Sequence, residues 1–210
     1  MARPRSVSDQ EVFRAVRDAV LEQGPQVSLD VVAERIGVTA PALFRRFGNR
    51  QELLLLSLRP EERPAFLDLL DAGPDVSAKA APIEEQIVEI FTEIGHYLVR
   101  TLPCMVALRE SGLPFSAIHA TSDEPPPIRT IKALAAWLER GTDAGKLAVA
   151  DPTATAMAMI GSVHMPIFIR HITNGKKAHE PRHFARELAQ IFLEGIAGSQ
   201  RPASKRKERS

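Results

Sequence analysis

Signals for the start of a helix recur four times between residues 8 and 52 of this chain. Each is a side chain that can accept a hydrogen bond from a free backbone N–H in the first helical turn: Ser8, Ser28, Thr39 and Asn49. Glu11 and Glu52, each three residues after a cap, complete the spacing of a capping box. Four helix starts in so short a stretch predict a compact helical domain.

The second and third of these helices are short and are separated by Gly37, which can adopt the left-handed backbone that a tight turn needs. Pro41 falls in the first turn of the third helix, where its missing N–H costs nothing. That helix ends in the paired Arg45 and Arg46. Two helices joined in this way, the second one basic, are the layout of a DNA-reading helix-turn-helix.

The rest of the chain is also predicted to be helical, because it contains no sustained period-2 alternation and no hairpin turn between apolar runs. A long amphipathic helix is expected from residue 83 to just before Pro103, with shorter pieces at 104–111 and 114–120. Three further helices are expected from Pro125 to Gly141, at about 152–172 and at about 181–197. The fold class is therefore all-α.

This pattern predicts three segments. A three-helix helix-turn-helix DNA-binding domain occupies residues 1–56, and a larger helical domain occupies residues 57–198. Residues 199–210 are polar and charged without apolar periodicity, so they are expected to form a disordered basic tail. The helix at about 152–172 is apolar on most of its circumference, which favours a homodimer through it and the helix at 181–197.

Charge is distributed unevenly along the chain. Residues 1–50 hold eight arginines against six acidic side chains, and the last ten residues hold five basic side chains against one acidic. The intervening residues are net acidic, with nineteen acidic against fourteen basic side chains. A polyanionic partner such as DNA is therefore expected to meet the ends of the chain. Whether the basic tail contacts DNA or only aids solubility is left open.

The chain offers little for metal, redox or membrane chemistry. Its single cysteine, Cys104, excludes an intramolecular disulfide and suits a reducing compartment, so we expect a cytoplasmic protein. His164 and His171 lie about 10 Å apart along one helix, too far to share a metal ion. No metal and no cofactor are expected. The apolar segment Thr155 to Ile169 is predicted to be too short to span a bilayer of ~30 Å, so no membrane partner is expected.

The run VVAERIGVTAPALFRRFGNRQEL, residues 31–53, resembles the signature of the TetR family of bacterial transcriptional regulators. The resemblance covers about residues 8–56. It implies that the third helix enters the major groove, that C-terminal helices bind a small effector, and that the last two helices pair the subunits.

The resemblance also implies where DNA contacts would lie. Thr39 would touch a phosphate from the start of the third helix, Arg45 and Arg46 would face bases or backbone, and Arg50 would bind a phosphate. Phe44 stands where the family usually has a tyrosine whose hydroxyl meets a phosphate, so packing of the ring is the alternative there. Pro41 replaces a glycine or small polar residue and stiffens the start of the helix.

Physical chemistry supports the same interface. Arginine can bond guanine O6 and N7 together, and helix N-termini present N–H groups to phosphate. Arg3 and Arg5 precede the first helix as a flexible arm suited to a minor groove or to adjacent phosphates. The predicted DNA-binding residues are Arg3, Arg5, Ser28, Thr39, Ala40, Pro41, Phe44, Arg45, Arg46 and Arg50. A solvated basic face is the alternative interpretation of the paired arginines.

The C-terminal helices carry aromatic and flexible apolar side chains that can line a cavity for a small, largely apolar effector. The predicted effector-binding residues are Phe91, Met105, Trp137, Met157, His164 and Phe168. Any one of them can equally be plain core.

Three functions are weighed. A dimeric DNA-binding regulator, a repressor released from a near-palindromic operator by an effector, fits best. An enzyme is not expected, because the chain has no Gly-rich phosphate loop, no nucleophile elbow and no zinc-protease motif. A helical adaptor of the same fold that has lost sequence-specific DNA binding remains the alternative, and the departure at Phe44 favours it.

Overall fold

The computed structural model describes residues 7–24, 26–61, 63–118, 124–173 and 181–195. Within these ranges the chain forms ten helices and no strand, which confirms the all-α prediction. In chain order they are α1 (Asp9–Gln23), α2 (Leu29–Arg35), α3 (Ala40–Phe47), α4 (Arg50–Leu58), α5 (Phe66–Ala72), α6 (Ile83–Glu110), α7 (Phe115–Ile118), α8 (Pro126–Asp143), α9 (Pro152–Ile172) and α10 (Pro181–Glu194). The predicted arm residues Arg3 and Arg5 and the predicted tail 199–210 lie outside the described residues.

The first four helices begin at the predicted caps. Ser8 and Glu11 form the capping box of α1, and Asn49 and Glu52 form that of α4. The hydroxyl of Ser28 accepts from the Asp30 N–H at the start of α2. These are local signals between residues two or three apart, which is why the sequence alone locates them.

The buried residues of α1–α4 form one apolar cluster with four residues from much later in the chain, and we call this cluster the N-terminal core. The later residues are Cys104, Ala107 and Leu108 from the last turns of α6 and Ile118 from α7. The end of α6 therefore closes the core of the predicted DNA-binding domain. The domain boundary at residue 56 stays a prediction, since packing crosses it.

A second apolar cluster, the C-terminal core, joins α5, the first half of α6, α8, α9 and α10. Trp137 of α8 and Phe91 of α6 lie in it, each only 1% exposed. Phe91 also contacts Phe192 of α10, with ring centroids 6.1 Å apart and the rings tilted edge to face. Ion pairs from Glu85 of α6 to Arg182 and Arg186 add to the contact between α6 and α10.

The prediction that the long helix ends before Pro103 is wrong. α6 continues through Pro103 to Glu110, and the piece expected at 104–111 is its last part. Proline removes one backbone donor and crowds the carbonyl four residues earlier, which favours a break in an isolated helix. Cys104, Ala107 and Leu108, which follow the proline, are buried in the N-terminal core, and this burial stabilises the continuous helix.

The apolar segment Thr155–Ile169, expected to be too short to span a bilayer, is part of the longer helix α9. By length and composition alone the 21 residues of α9 could cross a membrane, but one such helix by itself does not indicate a membrane protein. Only 17% of that apolar window is buried in the chain. α9 packs against α6 and α8 through its few buried residues, among them Met159 and Val163.

Candidate nucleic-acid interface

The helix-turn-helix is closed by backbone hydrogen bonds at Gly37, whose φ of 73° lies in the left-handed region. The Gly37 N–H donates to the Glu34 carbonyl at 3.1 Å, and the Val38 N–H donates to the Ala33 carbonyl at 2.9 Å. A side chain at residue 37 would strain this conformation. The turn therefore fixes the direction in which α3 leaves α2.

α3 has two faces that the packing separates cleanly. Ala40 and Leu43 lie buried in the N-terminal core, so the side chain of Ala40 points away from solvent. Pro41, Arg45 and Arg46 are exposed. Of the predicted contact residues of α3, Pro41, Arg45 and Arg46 therefore face solvent, and Ala40 does not.

Thr39 caps α3 with its hydroxyl oxygen, which accepts from the Ala42 N–H at 3.4 Å. A hydroxyl that accepts one hydrogen bond still has its proton to donate. Thr39 is exposed at the positive end of the helix dipole, where phosphate oxygens bind favourably. Ser28 is similarly exposed at the start of α2, and its hydroxyl also contacts the Asp30 carboxylate at 3.3 Å.

The adjacent arginines of α3 have different surroundings. The Arg46 Nη1 donates to the Val7 carbonyl at 2.6 Å, and its Nη2 pairs with the Asp9 carboxylate. Its guanidinium also lies 5.1 Å from the centroid of the Phe47 ring. Arg45 forms no hydrogen bond or ion pair with the described part of the chain and is exposed.

Two other predicted contact residues have partners inside the protein. Arg50 donates from Nη2 to the Val27 carbonyl at 3.2 Å and is half-buried. Phe44 is half-buried against the N-terminal core, so its ring packs. A cleft of about 280 Å³ opens between α1 and α3. It is lined by Val12, Val38, Ala42, Leu43, Arg45 and Arg46.

The six predicted effector residues lie in three places. Phe91 and Trp137 are in the C-terminal core, and Met105 packs against the N-terminal core. His164 stacks on Phe168 of the same helix, with ring centroids 5.9 Å apart. Phe168 and Met157 are exposed on α9. The structure therefore distributes these residues over three places and does not gather them around one space, and their effector role stays a prediction.

Sequence reasoning missed two residues that shape the interface. Asp9 pairs with Arg46 across 37 positions, and Arg17 of α1 bonds the main chain at the end of α4 across 40 positions. No local spacing signals a contact at such separations. Among the described residues, no group of three or more metal-ligating side chains comes together.

Two family models match the chain over the elements just described. One, for bacterial regulatory proteins of the tetR family, matches residues 15–56, from α1 to α4. The other describes the C-terminal domain of AefR-like transcriptional repressors and matches residues 112–195, from α7 to α10. The chain belongs to the TetR family. Its α2–turn–α3 unit is accordingly the DNA-binding helix-turn-helix of a TetR-family regulator.

Solved TetR-family structures share the fold of most of the chain. PfmR from Thermus thermophilus superposes with a TM-score of 0.59 at 18% identity, over 88% of this chain and 98% of that one. FadR from Bacillus subtilis, in complex with stearoyl-CoA, has a TM-score of 0.58 at 14% identity, over 90% of this chain and all 100% of that one.

A third neighbour, AibR, is solved in complex with isovaleryl coenzyme A and operator DNA. Its TM-score is 0.55 at 14% identity, over 88% of this chain and 97% of that one. At these identities the likeness concerns the TetR-family fold alone. By sequence, no curated protein matches the chain.

Proposed function

We propose that this TetR-family protein is a cytoplasmic, dimeric repressor that binds a near-palindromic operator and is released by a small effector. The observation that carries the DNA-binding part is the exposed surface of α3, which begins at the Thr39 cap and carries Arg45 in its last turn. Arginine side chains read guanine edges, and helix N-termini bind phosphate. α3 thus presents a base-reading group and a backbone clamp on one short, well-packed helix.

Dimerisation is supported by the uncovered face of α9. Met157, Met165, Phe168 and Ile172 lie along it and are exposed, Ile172 by 60% and Met157 by 56%. We call these four residues the α9 apolar face. On α10, Ile191 is also exposed. A contiguous apolar surface of this kind marks an interface, and a second copy of the chain covers it in a two-fold arrangement.

Release by an effector is supported by the way α6 is shared between the two cores. A ligand that favours one arrangement of the C-terminal core biases the N-terminal core through α6, and the spacing of the two reading helices changes with it. Two half-sites lie about 34 Å apart, so a small change in that spacing breaks the match. A coupling of about 1–3 kcal/mol suffices for a switch.

The effector we propose is largely apolar, because the C-terminal core consists of aromatic, aliphatic and methionine side chains. Two neighbours of the same fold are solved with acyl-CoA molecules, FadR with stearoyl-CoA and AibR with isovaleryl coenzyme A. These two compounds, one with a long acyl chain and one with a short one, are suitable first probes.

The test of the DNA role is selection of bound duplexes from a random pool by the purified protein, repeated across salt concentrations. An enriched near-palindrome bound with a steep negative salt slope supports a symmetric DNA reader. Enrichment of no sequence at any salt concentration contradicts the proposal. Stearoyl-CoA and isovaleryl-CoA are then added to the selected complex, and release by either one supports an effector of this class.

The alternative is a helical adaptor of the same fold without sequence-specific DNA binding. It is favoured by the packed ring of Phe44 and by the internal partners of Arg46 and Arg50. The double substitution Arg45→Ala with Arg46→Ala separates the two functions. A regulator loses operator binding while remaining folded and dimeric, whereas an adaptor is indifferent to it.

A further inference from the structure

We propose that the two adjacent arginines of α3 have different tasks: Arg45 contacts DNA, and Arg46 is a positioning residue that fixes the start of α1 against the end of α3. The inference rests on the proposed DNA-binding function and assigns separate roles to two residues that the sequence presents as a pair.

The contacts of Arg46 are all directed into the protein. Nη1 donates to the Val7 carbonyl at 2.6 Å, Nη2 pairs with the Asp9 carboxylate, and the guanidinium lies over the Phe47 ring. A guanidinium presents its donors in one rigid plane. Each terminal nitrogen gives one N–H to the start of α1, which orients the guanidinium toward the protein and leaves it fewer donors for a guanine edge than a free arginine has.

What Arg46 holds is the entry into α1. Val7 precedes the Ser8 cap, and Asp9 is the first residue of the helix. The same contact is extended by Phe47, whose ring lies 5.5 Å from that of Phe13 in α1. The end of α3 and the beginning of α1 are thus joined by a carbonyl contact, an ion pair and an aromatic pair.

Arg45 makes none of the contacts that hold Arg46. Both side chains are exposed, but no described residue accepts a hydrogen bond from Arg45 or forms an ion pair with it. Successive residues of a helix point about 100° apart, so the two guanidinium groups leave α3 in different directions. Arg45 therefore keeps its full set of donors for a base edge or a phosphate.

The ion pair of Arg46 with Asp9 lies at the protein surface. The side chains of Arg46 and Asp9 are 43% and 57% exposed. An exposed ion pair contributes little to global stability, so the protein stays folded when it is removed.

The experiment uses the full chain and the duplex enriched by selection, with binding measured by fluorescence anisotropy at several salt concentrations. Each variant is tested against the matched duplex and against duplexes carrying one changed base pair. The variants are Arg45→Ala and Arg46→Ala. Arg63→Ala is the matched control, because Arg63 is also an exposed arginine in an ion pair, with Asp68 and Asp71, but lies away from α3.

For Arg45→Ala we expect discrimination at one base pair to fall by roughly five- to 150-fold, the range for a lost bidentate contact. For Arg46→Ala we expect weaker binding by one common factor for all duplexes, with the salt slope and the discrimination unchanged. Arg63→Ala changes neither. A salt slope that falls by about 0.9 in Arg46→Ala would show a lost phosphate contact and overturn the positioning role. Loss of discrimination at one base pair in that variant would also overturn it.

A second measurement needs no DNA. Asp9→Asn should lower the unfolding midpoint less in the Arg46→Ala background than in the wild-type chain, because the contact with Arg46 is already lost there and only the interaction of Asp9 with the start of α1 remains. Additive effects would contradict the contact itself. If no duplex is enriched in the first place, the proposed function fails and the role of Arg45 fails with it. The unfolding measurement then decides only whether Arg46 is tied to Asp9.

Discussion

The Arg17 side chain reaches the main-chain oxygen of Ser57 from two of its nitrogens, Nε at 3.2 Å and Nη2 at 3.0 Å. Nη2 also contacts the Arg59 carbonyl at 3.2 Å. The last carbonyls of a helix have no partner within the helix, and a cation there is favoured by the helix dipole. Arg17 of α1 therefore caps the end of α4.

Loss of this cap should destabilise the protein. We expect Arg17→Ala to lower the free energy of unfolding by about 1.5–3 kcal/mol, the range for hydrogen bonds from a charged group, as measured by urea denaturation. Arg14→Ala is the matched control, since Arg14 lies on the same helix and is exposed, and it should change the free energy by less than ~0.5 kcal/mol. Equal effects of the two substitutions would show that the cap contributes nothing.

The α9 apolar face should determine the oligomeric state. We expect Met165→Glu with Ile172→Glu to raise the dimer dissociation constant by roughly 100-fold or more, because a buried unpaired charge costs several kcal/mol. Sedimentation velocity over a range of protein concentrations measures this. Val76→Glu, which adds a charge at an exposed apolar residue between α5 and α6, should leave the dimer intact. A dimer that persists in the double variant would place the interface elsewhere.

Pro103 should cost stability within α6. Replacing it with alanine restores the N–H that faces the Val99 carbonyl, and we expect the free energy of unfolding to rise by about 1–2 kcal/mol. Pro152→Ala is the control, because Pro152 stands in the first turn of α9, where a missing N–H has no consequence, and it should bring no gain. A lower free energy of unfolding in Pro103→Ala would mean that α6 depends on the proline ring at this position.

Cys104 should make stability depend on pH in the alkaline range. Burial raises the pKa of its thiol from 9.0 to about 11, so the folded protein holds this proton more tightly than the unfolded chain does. The resulting contribution is complete below pH 9 and is lost as the pH rises towards 11. Urea denaturation from about pH 8 to about pH 11 should show a steeper decline for the wild type than for Cys104→Ala. Parallel curves for the two proteins would contradict the shift.

The sequence predicts local features of this protein well because their causes are local. The capping boxes of α1 and α4 each depend on residues three positions apart, and both are confirmed. The left-handed turn at Gly37 and the start of α8 in a run of prolines depend on the backbone preferences of single residues.

Features that depend on distant parts of the chain escaped prediction. Pro103 signals a helix end, but the burial of Leu108 against helices formed some fifty residues earlier overrides that signal. Arg45 and Arg46 are equivalent in sequence, and only the fold brings Asp9 to one of them. An apolar residue such as Met157 fits a core and an exposed face equally well until its neighbours are known.

The course of α6 through both cores limits how this protein can be recombined with its relatives. Its first half belongs with the helices of the C-terminal core, while Cys104, Ala107 and Leu108 complete the interior of the DNA-binding unit. A hybrid of two TetR-family regulators that is joined at the end of α4 would combine helices α1–α4 of one protein with the α6 core residues of the other. A functional exchange must transfer α1–α4 together with the last turns of α6. The smallest DNA-binding unit that can be exchanged between relatives is therefore discontinuous in sequence.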